Sequence, residues 1–142
     1  MQQGSWILKY LLDTCVISEM SKSRPDANVL AWFAGTLEVD LYLPVVTIGE
    51  LRKGIEIARP KHATAAKLYE TMLDQLVLNY AHRILPFDLA AAQLWGAFMA
   101  ASQSQTVEDA QIAAIAASRG MTVVTCNVTH FQKFPVPIHN PF

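Results

Sequence analysis

An apolar run from Ile7 to Leu12 ends abruptly at Asp13. A continuous run of that length closed by a polar residue predicts a buried strand. Burial on both faces predicts a parallel sheet with helices packed on each side. Asp13 then stands at the carboxyl end of a central strand, the edge at which open α/β sheets bind ligands. It is either the cap of the next helix or the floor of a site.

The same pattern recurs down the chain. A short helical segment, Val16 to Met20, runs into the loop Ser-Lys-Ser-Arg-Pro-Asp, residues 21–26, and a helix follows with Val29, Leu30, Trp32, Phe33 and Leu37 as its apolar positions. Leu41 to Val46 predicts a second strand, with Pro44 marking its end or an edge. A helix opens at Thr47, and Pro60 breaks it. Ala63 to Leu78 predicts a long amphipathic helix with Leu68, Met72, Leu73 and Leu76 on one stripe. Ile84 to Phe87 is a third strand, and Asp88 caps a helix from Leu89 to Ala101. After the loop Ser102 to Gln105 comes a helix from Thr106 to Arg119, ended by Gly120. Met121 to Thr125 is a β-branched fourth strand, and the proline-bearing tail is expected to be irregular. The order β-α-α-β-α-α-β-α-α-β leaves room for right-handed crossovers between parallel strands.

Composition narrows the class. The chain has 142 residues, 52% of them hydrophobic and 16% charged, which predicts one domain over residues 1–142 with a real core. The net charge of −1 provides no global field for nucleic acid, so a polyanion would have to be handled by local cations or metal. Lys22, Arg24, Arg52, Lys53, Arg59 and Lys61 are the candidates, with Lys22 and Arg24 nearest the mouth of the expected site. The N-terminus lacks the features of a secretory signal, and no stretch approaches the ~20 apolar residues of a membrane span. A cytoplasmic protein with reduced thiols at Cys15 and Cys126, and no membrane contact, is the expectation.

The polar residues at strand-to-helix junctions carry the chemistry. Asp13, Glu50, Asp88, Asp109 and Asn127 all fall there. Glu50 and Asp109 also match the fourth position of capping boxes, Thr47-x-x-Glu50 and Thr106-x-x-Asp109. Asp88 is explained by its cap alone. Gathering Asp13, Glu50 and Asp109 would raise at least one carboxyl pKa and require neutralisation. Oxygen ligands without a Cys or His shell suit Mg²⁺ or Mn²⁺.

Four segments in order, residues 11–19 (LLDTCVISE), 47–56 (TIGELRKGIE), 107–116 (VEDAQIAAIA) and 123–131 (VVTCNVTHF), resemble the signature segments of PIN-domain nucleases, most closely the VapC toxins of type II toxin–antitoxin pairs. The resemblance implies a PIN-like α/β fold, with a central parallel sheet of four to five strands between helices. It also implies a Mg²⁺- or Mn²⁺-dependent endoribonuclease. Asp13, Glu50 and Asp109 match the family's acids and would hold the metal, and Asn127 takes the fourth catalytic position. Thr14, Lys22 and Arg24 would contact RNA. The implied reaction is in-line hydrolysis of a phosphodiester, leaving a 5′-phosphate and a 3′-hydroxyl. The implied partners are RNA and a cognate antitoxin; a homodimer is expected from surplus apolar side chains such as Trp32, Phe33, Leu68, Met72 and Leu76. Cys15 stands where the family pattern has Asn, Cys126 where Arg is common, and His130 where an acid is often found.

Two rivals share the pattern. One is a catalytically impaired module of the same fold that binds RNA or metal and is sequestered by a partner. The other is a phosphoacceptor domain, against which the absence of a lysine near Cys126 and Asn127 argues. A soft-metal site from Cys15, Cys126 and His130 would favour Zn²⁺.

Overall fold

The computed structural model describes residues 8–102 and 106–142. Its elements are β1 (Tyr10–Leu12), α1 (Thr14–Met20), α2 (Ala27–Ala34), β2 (Leu41–Pro44), α3 (Val45–Ala58), α4 (Ala63–Asn79), β3 (Ile84–Leu85), α5 (Leu89–Ser102), α6 (Val107–Arg119), β4 (Thr122–Val124), α7 (Val128–Phe131) and β5 (Ile138–His139). All strand pairs are parallel, in the order β3-β2-β1-β4-β5. From β1 the chain goes to β2 on one side, and β4 pairs on the other. The carboxyl ends of β1 and β4 therefore flank the point where the winding direction reverses, which is where such sheets form a crevice.

The strand period of two explains the layers. Leu11 and Val123 point to one face, into a core with Ile112, Ala113, Ile115 and Phe131. Their neighbours Leu12 and Val124 point to the other, into a core with Val16, Leu41 and Leu43. Both faces are covered, as a parallel sheet requires. The run Ile112 to Ala116 is wholly buried, and its alanines let α6 lie close against the sheet. Gly120 ends α6 at φ +64°, donating back to Ala116 and Ala117; the left-handed conformation suits glycine. Ile55, Ala66 and Leu73 form a third core between α3 and α4.

Several expectations shift. Ile7 lies outside the described residues, as does most of the loop Ser102 to Gln105. The second strand stops at Pro44, and α3 begins at Val45, two residues before Thr47. Proline cannot extend the ladder but is suited to the start of a helix, so the boundary falls there. The tail is not wholly irregular: β5 pairs with β4, with Val123 N–H donating to the Pro137 carbonyl (2.9 Å) and Thr125 N–H to that of His139 (3.0 Å). A two-residue edge strand between prolines has no periodicity to detect. Trp32 and Phe33, expected to seek a partner, are half-buried: Trp32 meets Tyr10 edge-on at 5.2 Å and both rings lie against the second core.

Candidate functional site

Asp13 is both of the things its position allowed. It caps α1, its Oδ1 accepting the Thr14 N–H at 2.8 Å, yet it is only 3% exposed. Its Oδ2 accepts the hydroxyl of Thr125 at 2.7 Å, and the Cys15 thiol lies 3.7 Å away. Thr125, fully buried just beyond β4, also accepts the Asn127 N–H at 2.9 Å. One hydroxyl thus ties the ends of the two central strands together.

Glu50 is held from the other side. Thr14 donates its hydroxyl to Glu50 Oε1 at 2.7 Å and sits 3.3 Å from Thr47 Oγ1. The capping boxes do not form. Helix α3 is entered through Pro44 and α6 through Thr106, in neither case with a side-chain capping bond. Glu50 therefore lies six residues into its helix, where no cap accounts for it. Asp88, by contrast, caps α5, accepting the Ala91 N–H at 3.0 Å, with Arg119 3.5 Å away.

The acids act on one another. Burial raises the Glu50 carboxyl above its ordinary range, and the charges of Asp13, Glu108 and Asp109 add to the rise, while Thr14 opposes it. Burial likewise raises Asp109, with Asp13 adding to it and His130 opposing it. His130 Nδ1 lies 3.1 Å from Asp109 Oδ2. Neither Lys nor Arg neutralises Asp13, Glu50 or Asp109 among the described residues, which is the condition a bound cation relieves.

The donor set suits a hard divalent ion: carboxylate oxygens, with hydroxyls beside them. It is not a ready-made cage. Among the described residues no three His, Cys, Asp or Glu side chains gather closely enough to enclose an ion, which also removes the Cys15–Cys126–His130 zinc set. Mg²⁺ needs less, because it keeps several waters and meets protein through one or two carboxylates.

The remaining sequence candidates fare unequally. Asn127 follows Thr125 at the edge, but no hydrogen bond joins its side chain to the three acids among the described residues. Lys22 is paired with Glu19 at 2.8 Å; Glu19 also accepts the Asp26 N–H at 2.8 Å, so the 21–26 loop is anchored. Arg24 is exposed in that loop. Arg52 and Arg59 are both tied to Glu56 and Glu70, which withdraws them from the site. Neither Thr125 nor Thr47 is a site candidate from the sequence, where Thr47 only opens a capping box. Thr125 carries the same signal as Asp13, a polar residue closing an apolar run.

From Thr14 and Glu50 a groove of about 740 Å³ runs between α1, α3 and α4, past Lys22, Phe33, Met72, Leu76 and Tyr80. Its apolar length ends at Glu50.

Comparison with known proteins agrees with this architecture. The PIN domain family matches residues 10–136. "Plasmid stability protein StbB" of Pseudomonas syringae pv. tomato is 36% identical over 136 residues, covering 93% of this chain and 97% of its own. "VapC ribonuclease Y4jK" of Sinorhizobium fredii is 34% identical, with 93% and 96% covered. "Toxin FitB" of Neisseria gonorrhoeae is 32% identical, with 93% and 97% covered. The crystal structure of FitAcB from the same organism superposes with a TM-score of 0.84 at 31% identity, covering 93% of this chain and 97% of that one. The match spans nearly the whole described chain and includes every element that carries an acid of the site: the protein belongs to the PIN domain family.

Proposed function

We propose that this protein is a metal-dependent endoribonuclease, the toxin of a toxin–antitoxin pair. The observation that carries the proposal is the set Asp13, Glu50 and Asp109 at the winding reversal of the sheet, with Glu50 and Asp109 both raised by burial and by the charge of Asp13. The names of the relatives, a VapC ribonuclease and a toxin, support it.

Bound Mg²⁺ or Mn²⁺ would supply Lewis-acid polarisation of the phosphodiester and activation of the attacking water. Asp13 and Asp109 would hold it, and Glu50, oriented by Thr14, would complete the site or position that water. Thr125 fixes the rotamer of Asp13 and so the direction of its free lone pairs. Asn127, at the same edge, would hydrogen-bond a carboxylate or a water on the ion. Thr14 and the 21–26 loop with Lys22 and Arg24 would guide the RNA backbone. The chain acts as one domain, residues 1–142, in the cytoplasm; no described helix is long and apolar enough to cross a membrane.

The groove gives the antitoxin a seat. An apolar segment of the partner would lie along Phe33, Met72 and Leu76, and a cation at its end would reach Glu50. A homodimer is part of the proposal, built from apolar side chains left outside, such as Leu68 at 59% exposed and Leu78 at 70%.

The test is cleavage of an RNA panel with and without Mg²⁺ or Mn²⁺. Cleavage should require metal and vanish in Asp13→Asn and Asp109→Asn, with folding retained by circular dichroism. Metal-dependent RNA binding without turnover would instead establish the impaired binding module.

A further inference from the structure

The two cysteines stand where the nuclease reading has no use for them, and the fold brings them together. Cys15 is in the first turn of α1 and Cys126 lies two residues beyond β4, past the ends of strands paired Leu12 to Val124. The Cys126 N–H donates to Cys15 Sγ at 3.0 Å, and the two side chains are close enough to interact. Covalent geometry then keeps their Cα atoms within about 7 Å, close to the roughly 4.4–6.8 Å that disulfides span. Both residues are partly exposed, so a small oxidant can reach them.

We infer that Cys15 and Cys126 are a modification site, forming an intramolecular disulfide under peroxide that disturbs Asp13 and switches the site off. In the first step a peroxide oxygen is transferred to one thiol, giving a sulfenic acid and one water. In the second, the other sulfur attacks the sulfenic sulfur, the S–S bond forms, and hydroxide leaves with the attacking thiol's proton as a second water. Two thiols are oxidised and one peroxide is reduced.

The consequence for the site follows from contacts already present. Cys15 Sγ lies 3.7 Å from Asp13 Oδ2 and 3.6 Å from Thr125 Oγ1. A bridged Cys15 has no S–H to offer, and its sulfur is drawn toward Cys126. The turn that moves with it carries Thr14, the donor to Glu50. One bond formed at this edge therefore acts on two of the three acids. The effect on cleavage rests on the nuclease reading; the bond itself does not.

The experiment treats the full chain with hydrogen peroxide at native pH, blocks remaining thiols by alkylation, and maps peptides without reduction. The expected result is a species about 2 Da lighter with a linked Cys15–Cys126 peptide, absent in Cys126→Ser. Cleavage by the bridged protein should fall at least about tenfold and return with dithiothreitol, whereas peroxide leaves the Cys126→Ser variant at its own untreated rate. Thiols that stay free, cross-link between chains or oxidise to sulfinic acid overturn the site. A quantitative bridge with unchanged cleavage overturns the switch. If the reduced protein fails to cleave any RNA, the nuclease reading fails, while the linked peptide still decides whether the bridge exists.

Discussion

Thr125→Val isolates the tie between the two central strands. The substitution keeps shape and β-branching and removes only the hydroxyl. In the wild type that hydroxyl is fully buried, donates to Asp13 Oδ2 at 2.7 Å and accepts the Asn127 N–H at 2.9 Å. A hydrogen bond to a charged group is worth about 1.5–3 kcal/mol, and an amide deprived of its partner costs about 1 kcal/mol or more. Asp13 keeps the Thr14 N–H and Asn127 is only partly buried, so the total should lie near 3 kcal/mol. For a chain of this size each kcal/mol moves Tm by about 2–4 °C, giving a loss of about 6–12 °C. Urea denaturation and differential scanning calorimetry measure it. Thr125→Ser is the control: it restores both bonds and loses one buried methyl, about 1 kcal/mol. RNA cleavage should fall with the Val variant and survive in the Ser variant. A Val variant within about 0.5 kcal/mol of wild type, or a Ser variant equally damaged, would refute the role given to the hydroxyl.

Three further outcomes are expected. Without metal, stability should be fully present below the ordinary carboxylate range and be lost as pH rises through the raised pKa values of Glu50 and Asp109, because the folded state holds those protons more tightly than the unfolded chain. Melting curves across pH, with Mg²⁺ or Mn²⁺ restoring the loss and Glu50→Gln shrinking both effects, check this; a flat profile contradicts it. Asp88→Asn should leave stability and cleavage nearly unchanged, since Asn caps about as well as Asp, and an inactive but stable variant would show that Asp88 belongs to the site. Gly120→Ala should cost about 1–2 kcal/mol in denaturant titration through the +64° φ alone, as no atom lies within 4 Å of the added methyl.

Much of the fold follows from local pattern. Runs such as Leu11–Leu12 and Val123–Val124 can satisfy both of their faces only in a covered parallel sheet, so fold class and the edge bearing Asp13 are legible from hydrophobicity alone. The capping of α5 by Asp88 is legible for the same reason: a cap is chemistry between near neighbours in sequence. What sequence could not decide is which interactions win when local and distant partners compete. Thr47-x-x-Glu50 has the letters of a capping box, but Pro44 starts the helix earlier and Glu50 is left to Thr14, 36 residues away. Thr125 reads as one more β-branched strand residue until Asp13, 112 positions earlier, is found against it. Arg52 and Arg59 read as candidates for RNA until Glu70 on the neighbouring helix takes them. Periodicity reports which side of an element is buried. It carries no information about which buried polar atom from another strand or helix will meet it, because that depends on strand order and register, which only the assembled sheet defines.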